Sequence, residues 1–121
     1  MKKETKTKRT LSDSIIKEGI FDKGTLNLIE GTITLSSGAV REGTFDKYTG
    51  YLIEGKKTNS RRIEVGIFDK DTGYLIEGKK TNFHGVSEEG TFDEYTEILI
   101  EGKVTYSDGT IEFVNDYAEA A

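Results

Sequence analysis

The chain has no cysteine, no proline and no tryptophan, and a single histidine among its 121 residues. Without cysteine there is no disulfide staple, no thiolate zinc site and no cysteine nucleophile. Apolar residues are scarce as well, at 34% of the chain, where an ordinary globular domain carries about 45–50%. A compact two-layer core would need more. A single-layer repeat sheet needs less, because each unit buries its apolar residues against its neighbours. No run approaches the roughly 18 apolar residues of a membrane-spanning helix. The charged N-terminus lacks the apolar stretch of a secretory signal, so a soluble protein of the cytoplasm is expected.

Positive charge is short in most of the chain. The net charge is −5, yet residues 1–10 alone sum to +4, through Lys2, Lys3, Lys6, Lys8 and Arg9 against Glu4, so the remaining 111 residues sum to −9. An acidic body repels nucleic acid and anionic headgroups. Nucleic acid is therefore not expected as a partner, and a membrane surface only weakly, through the basic end. Residues 1–14 are polar and aperiodic and read as a mobile basic arm.

What the chain does have is repetition. The phrase EGTFDKYTGYLIEGKKTN, from Glu42 to Asn59, returns as VGIFDKDTGYLIEGKKTN from Val65 to Asn82, with looser copies at 18–35 and 89–106. Glu-Gly pairs mark the chain at Gly19, Gly31, Gly43, Gly55, Gly78, Gly90 and Gly102, and Val65-Gly66 keeps the place with Glu replaced. The spacings are 12, 12, 12, 11, 12, 12 and 12. That beat is too short for a helix pair and suits one strand plus one turn, so two beats make a hairpin. Glycine recurring in mid-segment also counts against helix, where each would cost about 1 kcal/mol. The expected fold is all-β, a single-layer antiparallel meander of nine strands. They fall near 15–22, 27–35, 40–46, 51–58, 63–69, 74–82, 87–93, 98–106 and 110–114. They form four hairpin repeats at about 18–41, 42–64, 65–88 and 89–113, with 115–121 as a cap or tail.

Strict alternation along a strand puts Phe21, Phe45, Phe68 and Phe92 on one face with the glycines and with Ile29, Ile53, Ile76 and Ile100. Leu28, Leu52, Leu75 and Leu99 then fall on the other face, with Glu30, Glu54, Glu77 and Glu101. The central copies differ from the outer ones in one respect. They carry Lys57 with Asn59, and Lys80 with Asn82, where the outer copies have Ile33 with Leu35, and Val104 with Tyr106. Tyr51 and Tyr74 join them. Exposed aromatics with a few polar groups suit a protein-binding surface, so Phe45, Tyr51, Lys57, Phe68, Tyr74 and Lys80 form the candidate contact patch. The alternative is a tolerated surface copied by duplication.

Catalytic chemistry finds little purchase. His84 stands in a turn without a second histidine, and no spacing selects a Ser-His-Asp set. Asp69-Lys70-Asp71-Thr72-Gly73 looks like half a calcium loop but lacks the distal bidentate Glu. Its sister copies lack the second Asp. The column of Glu30, Glu54, Glu77 and Glu101 recurs on every second strand, about 9.5 Å apart, too wide to share a proton. No nucleotide loop, catalytic residue or metal site is expected, and no cofactor.

The opening E-G-x-F, the turn and the second Gly-led strand resemble the MORN repeat, most clearly in Gly102 to Phe113, GKVTYSDGTIEF. The resemblance spans 18–113. It departs in the first hairpin, where D-K-x-T-G-Y and L-I-E-G replace the family's N-G and G-x-G, and in the longer unit. It implies an elongated, twisted single-layer sheet and a binding or scaffolding role, often as a dimer; a phospholipid-binding role has been proposed for the family. A non-enzymatic protein-interaction module, with a protein partner or a second copy, is therefore expected. Two other readings stay open: a peripheral membrane module using the basic arm, and a small acidic inhibitor or decoy.

Overall fold

The computed structural model describes residues 7–12 and 15–115, and these form one ten-stranded antiparallel sheet in which every strand pairs with its sequence neighbours. The strands are β1 (Thr7–Ser12), β2 (Ile15–Phe21), β3 (Leu28–Thr34), β4 (Val40–Phe45) and β5 (Leu52–Thr58). They continue as β6 (Arg62–Phe68), β7 (Leu75–Asn82), β8 (Ser87–Phe92), β9 (Leu99–Thr105) and β10 (Ile111–Asn115). No helix occurs among the described residues. The nine strands expected from the glycine beat are all present as β2–β10. Thr7–Ser12, expected in a mobile arm, instead add a tenth strand along the free edge of β2, with Arg9 opposite Lys17. The rest of that arm and the 116–121 tail lie outside the described residues.

The glycine beat is a row. Gly19, Gly31, Gly43, Gly55, Gly66, Gly78, Gly90 and Gly102 stand opposite one another across β2 to β9. Their φ angles run from 140° to 147°, a region open to glycine and strained for other residues. Neighbouring backbones also crowd each site. A Cβ on Gly55 would lie 2.1 Å from the Glu42 carbonyl oxygen and 2.9 Å from the Gly43 Cα.

Beyond that row, alternation breaks. Thr44 pairs with Glu54 but Phe45 pairs with Leu52, so Ile53 is an extra residue, and the same shift occurs at Phe21, Phe68 and Phe92. Each bulge turns its leucine by one position onto the phenylalanine face, as an inserted residue must. This corrects the two-face assignment from alternation. Phe21, Leu28, Phe45, Leu52, Phe68, Leu75, Phe92 and Leu99 form a single buried cluster with Ile33.

One sheet face can be buried without a second layer because the six-residue loops cover it. In the Asp46–Tyr51 loop, the Asp46 amide donates to the Tyr51 carbonyl and the Gly50 amide donates to the Asp46 carbonyl, each at 2.9 Å. The Asp46 carboxylate accepts from the Tyr48 and Thr49 amides at 3.0 and 2.8 Å. Loops touch their successors: Asn27 Nδ2 donates to the Lys47 carbonyl at 2.7 Å, and a Cβ on Gly73 would sit 3.3 Å from the Tyr51 ring. Leu26 and Glu97 take positive φ where the central loops have Gly50 and Gly73.

The opposite ends use shorter turns. At Asn59–Arg62 the Asn59 side-chain oxygen accepts from the Arg61 and Arg62 amides at 2.7 and 3.0 Å. This tighter turn accounts for the single 11-residue spacing.

The loop aspartates carry a pH dependence. Asp22, Asp46, Asp69 and Asp93 are all held below the ordinary carboxylate range, chiefly by the backbone N–H of the threonine three residues on. A depressed folded-state pKa contributes stability above the unfolded value, and that stability is lost as pH falls through the folded value. The thermal midpoint is therefore expected to drop below about pH 4. An Asp46→Asn/Asp69→Asn double variant should show a shallower drop over that range in a pH series of melting curves.

Candidate functional site

The two faces of the sheet offer different chemistry. On the covered face, a row next to the glycines is formed by Lys17, Ile33, Arg41, Lys57, Glu64, Lys80, Glu88 and Val104, each opposite the next. Its central members are charged and turned inward. Lys80 is 6% exposed and Glu64 5%.

This placement reverses most of the patch expected from sequence. Phe45 and Phe68 are buried, and they serve the core. Lys57 donates to the Gly73 carbonyl and stands 4.7 Å from the centre of the Phe68 ring. Lys80 donates to the Glu97 carbonyl at 3.0 Å and stands 4.6 Å from the Phe92 ring centre. A cation over an aromatic face is attracted to it, more so when desolvated. The two lysines therefore hold loops onto the core. Burial pushes the Lys57 ammonium below its ordinary value; Glu64 and Glu97 pull it back, while Arg41 and Arg62 push it further down. Of the patch, Tyr51 and Tyr74 are exposed, at 40% and 38%, and Lys57 is half-buried.

The other candidates fall into turns. His84 is exposed, and its amide donates to Asn82 Oδ1 at 2.8 Å. The Asp69 carboxylate accepts from the Asp71 and Thr72 amides at 3.0 and 2.8 Å, closing its loop as Asp46 does. Among the described residues no three of His, Asp and Glu come together as a metal site would need. Glu30, Glu54 and Glu77 are separated along their row by Thr44 and Ile67.

The open face is where side chains are free. Outward positions of β4 are Val40, Glu42 and Thr44, and those of β8 are Ser87, Glu89 and Thr91. On β6 they are Ile63, Val65 and Ile67, exposed at 39%, 46% and 42%. Three apolar side chains thus form a stripe along the middle of the sheet. Polar neighbours flank it: Thr58 and Thr81 beside Ile63, Lys56 and Lys79 beside Val65, Glu54 and Glu77 beside Ile67. An open groove of about 610 Å3 leads into the stripe across β3 to β6. Its floor is Gly31, Gly43, Gly55 and Gly66, and it ends between Val65 and Ile67.

The sequence held a signal for this surface. Val65 is the one position where the Glu-Gly beat loses its glutamate, but its neighbours Ile63 and Ile67 gain meaning only once the faces are known.

No family model matches the chain, and no curated protein matches it. Fold and surface define a class: an open, all-β hairpin-repeat sheet with one face sealed by its own loops and one free.

Proposed function

We propose that the chain is a non-enzymatic protein-interaction module of MORN-like hairpin repeats, and that β6 is its contact strand. The observation that carries this is the Ile63-Val65-Ile67 stripe. It is an exposed apolar patch with a polar rim, the composition of a protein contact, at the place where the acidic repeat is interrupted. The resemblance to MORN repeats, with their binding and scaffolding roles, supports the same reading. The occupant is a second copy of the chain, since the commonest soluble oligomer is a twofold dimer in which one surface patch meets its own equivalent.

Val65→Glu restores the residue that the beat carries elsewhere, so it should leave the fold intact. It is expected to abolish concentration-dependent association measured by light scattering. Association would survive high salt in the wild type, because screening weakens ion pairs and not apolar contacts.

A further inference from the structure

The covered face holds a second feature that neither stability nor the open-face contact explains. Between β4, β5 and β6 lies a cavity of about 210 Å3 whose lining includes Arg41, Lys57, Arg62, Glu64, Tyr74 and Glu97. Its volume is that of about seven liquid waters. Charge withdrawn from water is expensive unless paired and hydrogen-bonded; here Glu64 is buried, Arg41, Lys57 and Glu97 are half-buried and Arg62 is exposed, and the pairing is incomplete in both signs.

Arg62 is engaged: its Nε lies 3.1 Å from Glu64 Oε2, and its terminal nitrogen 3.7 Å from Glu97 Oε1. Yet Glu64 Oε2, fully shielded, has no hydrogen-bond partner; the Arg62 contact is an ion pair outside hydrogen-bond geometry. Arg41 is half-buried and makes no hydrogen bond or ion pair with the described residues. Lys57 uses one of its three donors, on the Gly73 carbonyl. A guanidinium, spare ammonium donors and the Glu64 carboxylate therefore border one small space.

We infer that this cavity is a binding site for a monoanionic carboxylate whose carrier also has an N–H donor. The carboxylate pairs with Arg41 and Lys57, and the N–H goes to Glu64. The lining carries three cations and two anions, a net charge that one carboxylate cancels. A metal cation is disfavoured by the cationic majority, and a phosphate dianion by Glu64 and Glu97. The planar guanidinium matches a carboxylate two-pronged, which makes the pair directional as well as strong. The negative charge of such a ligand would oppose the desolvation that depresses Lys57.

Amide NMR titrations of the full chain test this, with two carboxylate probes and their amides. N-acetylglycine represents a free small molecule, and tetraalanine with a free carboxyl end represents a peptide terminus; inorganic phosphate is the comparison. Saturable shifts at Arg41, Lys57, Glu64 and Tyr74 are expected with the carboxylates and not with their amides. Tighter binding of tetraalanine assigns the site to a chain end, and comparable binding assigns it to a small molecule. Arg41→Met should weaken binding by about tenfold or more, the worth of a charged hydrogen-bonded pair. Glu64→Gln should tighten it, because the lining loses a negative charge while keeping an amide oxygen as acceptor; a damaged fold would not produce that opposite sign. The proposal is overturned if neither carboxylate saturates, if the amides respond equally, if phosphate binds more tightly than both, or if neither variant changes the affinity.

Discussion

Gly55→Ala is expected to cost about 4 kcal/mol or more, beyond the range of most single substitutions. The added methyl would meet the Glu42 carbonyl oxygen at 2.1 Å and the Gly43 Cα at 2.9 Å, both backbone atoms of a paired strand. Neither can move aside without opening the β4–β5 ladder. The φ of 145° adds strain of its own. A sheet with one thin core lies near the low end of the usual 5–15 kcal/mol stability range, so a measurable fraction of the variant should be unfolded at room temperature. Gly50→Ala is the control: its φ is 81° and a Cβ there meets nothing within 4 Å. It should cost only about 1 kcal/mol, the ordinary penalty of a left-handed position. Urea denaturation of the pair separates the effects, and equal losses would mean that close backbone approach is not what the glycine row is for.

Phe68→Ala is expected to cost about 3–5 kcal/mol, as for a large ring removed from a well-packed core. Phe68 is 2% exposed and lies in the cluster with Leu52 and Leu75. Its ring also faces the Lys57 ammonium, so the loop anchor at Gly73 should loosen too. Phe113 is 80% exposed on the edge strand, and Phe113→Ala should change stability by less than about 0.5 kcal/mol. Denaturation midpoints of both variants give the comparison. A small loss at Phe68 would return it to the surface role that its place in the repeat suggested.

The strand frame was legible because Glu-Gly recurs with turn residues at both ends of each hairpin. The purpose of the glycines was less so. Alternation shows only that they share a face with the phenylalanines, whereas the row owes its composition to neighbouring backbones. The bulges at Ile29, Ile53, Ile76 and Ile100 were hidden, since period-two reading cannot register one extra residue, and each moved a leucine to the other face. Strand β1 was hidden for another reason. TKRTLS has no apolar alternation, and it pairs because β2 offers a free edge.

The site was harder to read than the fold. Lys57 and Lys80 looked exposed because nothing local indicates that a loop 16 or 17 residues onward supplies a carbonyl above each. Those contacts depend on loops folding over one face, a non-local event. Conversely, the loss of glutamate at Val65 was plain in the sequence, and only the position of β6 at the middle of the open face turns it into a surface.

Light scattering of the wild-type chain and Val65→Glu, across a concentration series at low and high salt, tests that surface most directly. The account expects the wild type to associate at both salt concentrations and the variant to hold the mass of one chain. A wild type that stays monomeric throughout, or a variant that associates as well as the wild type, would contradict it. The second result would place the seam elsewhere, with the edge strand β10 and its exposed Ile111 and Phe113 next in line.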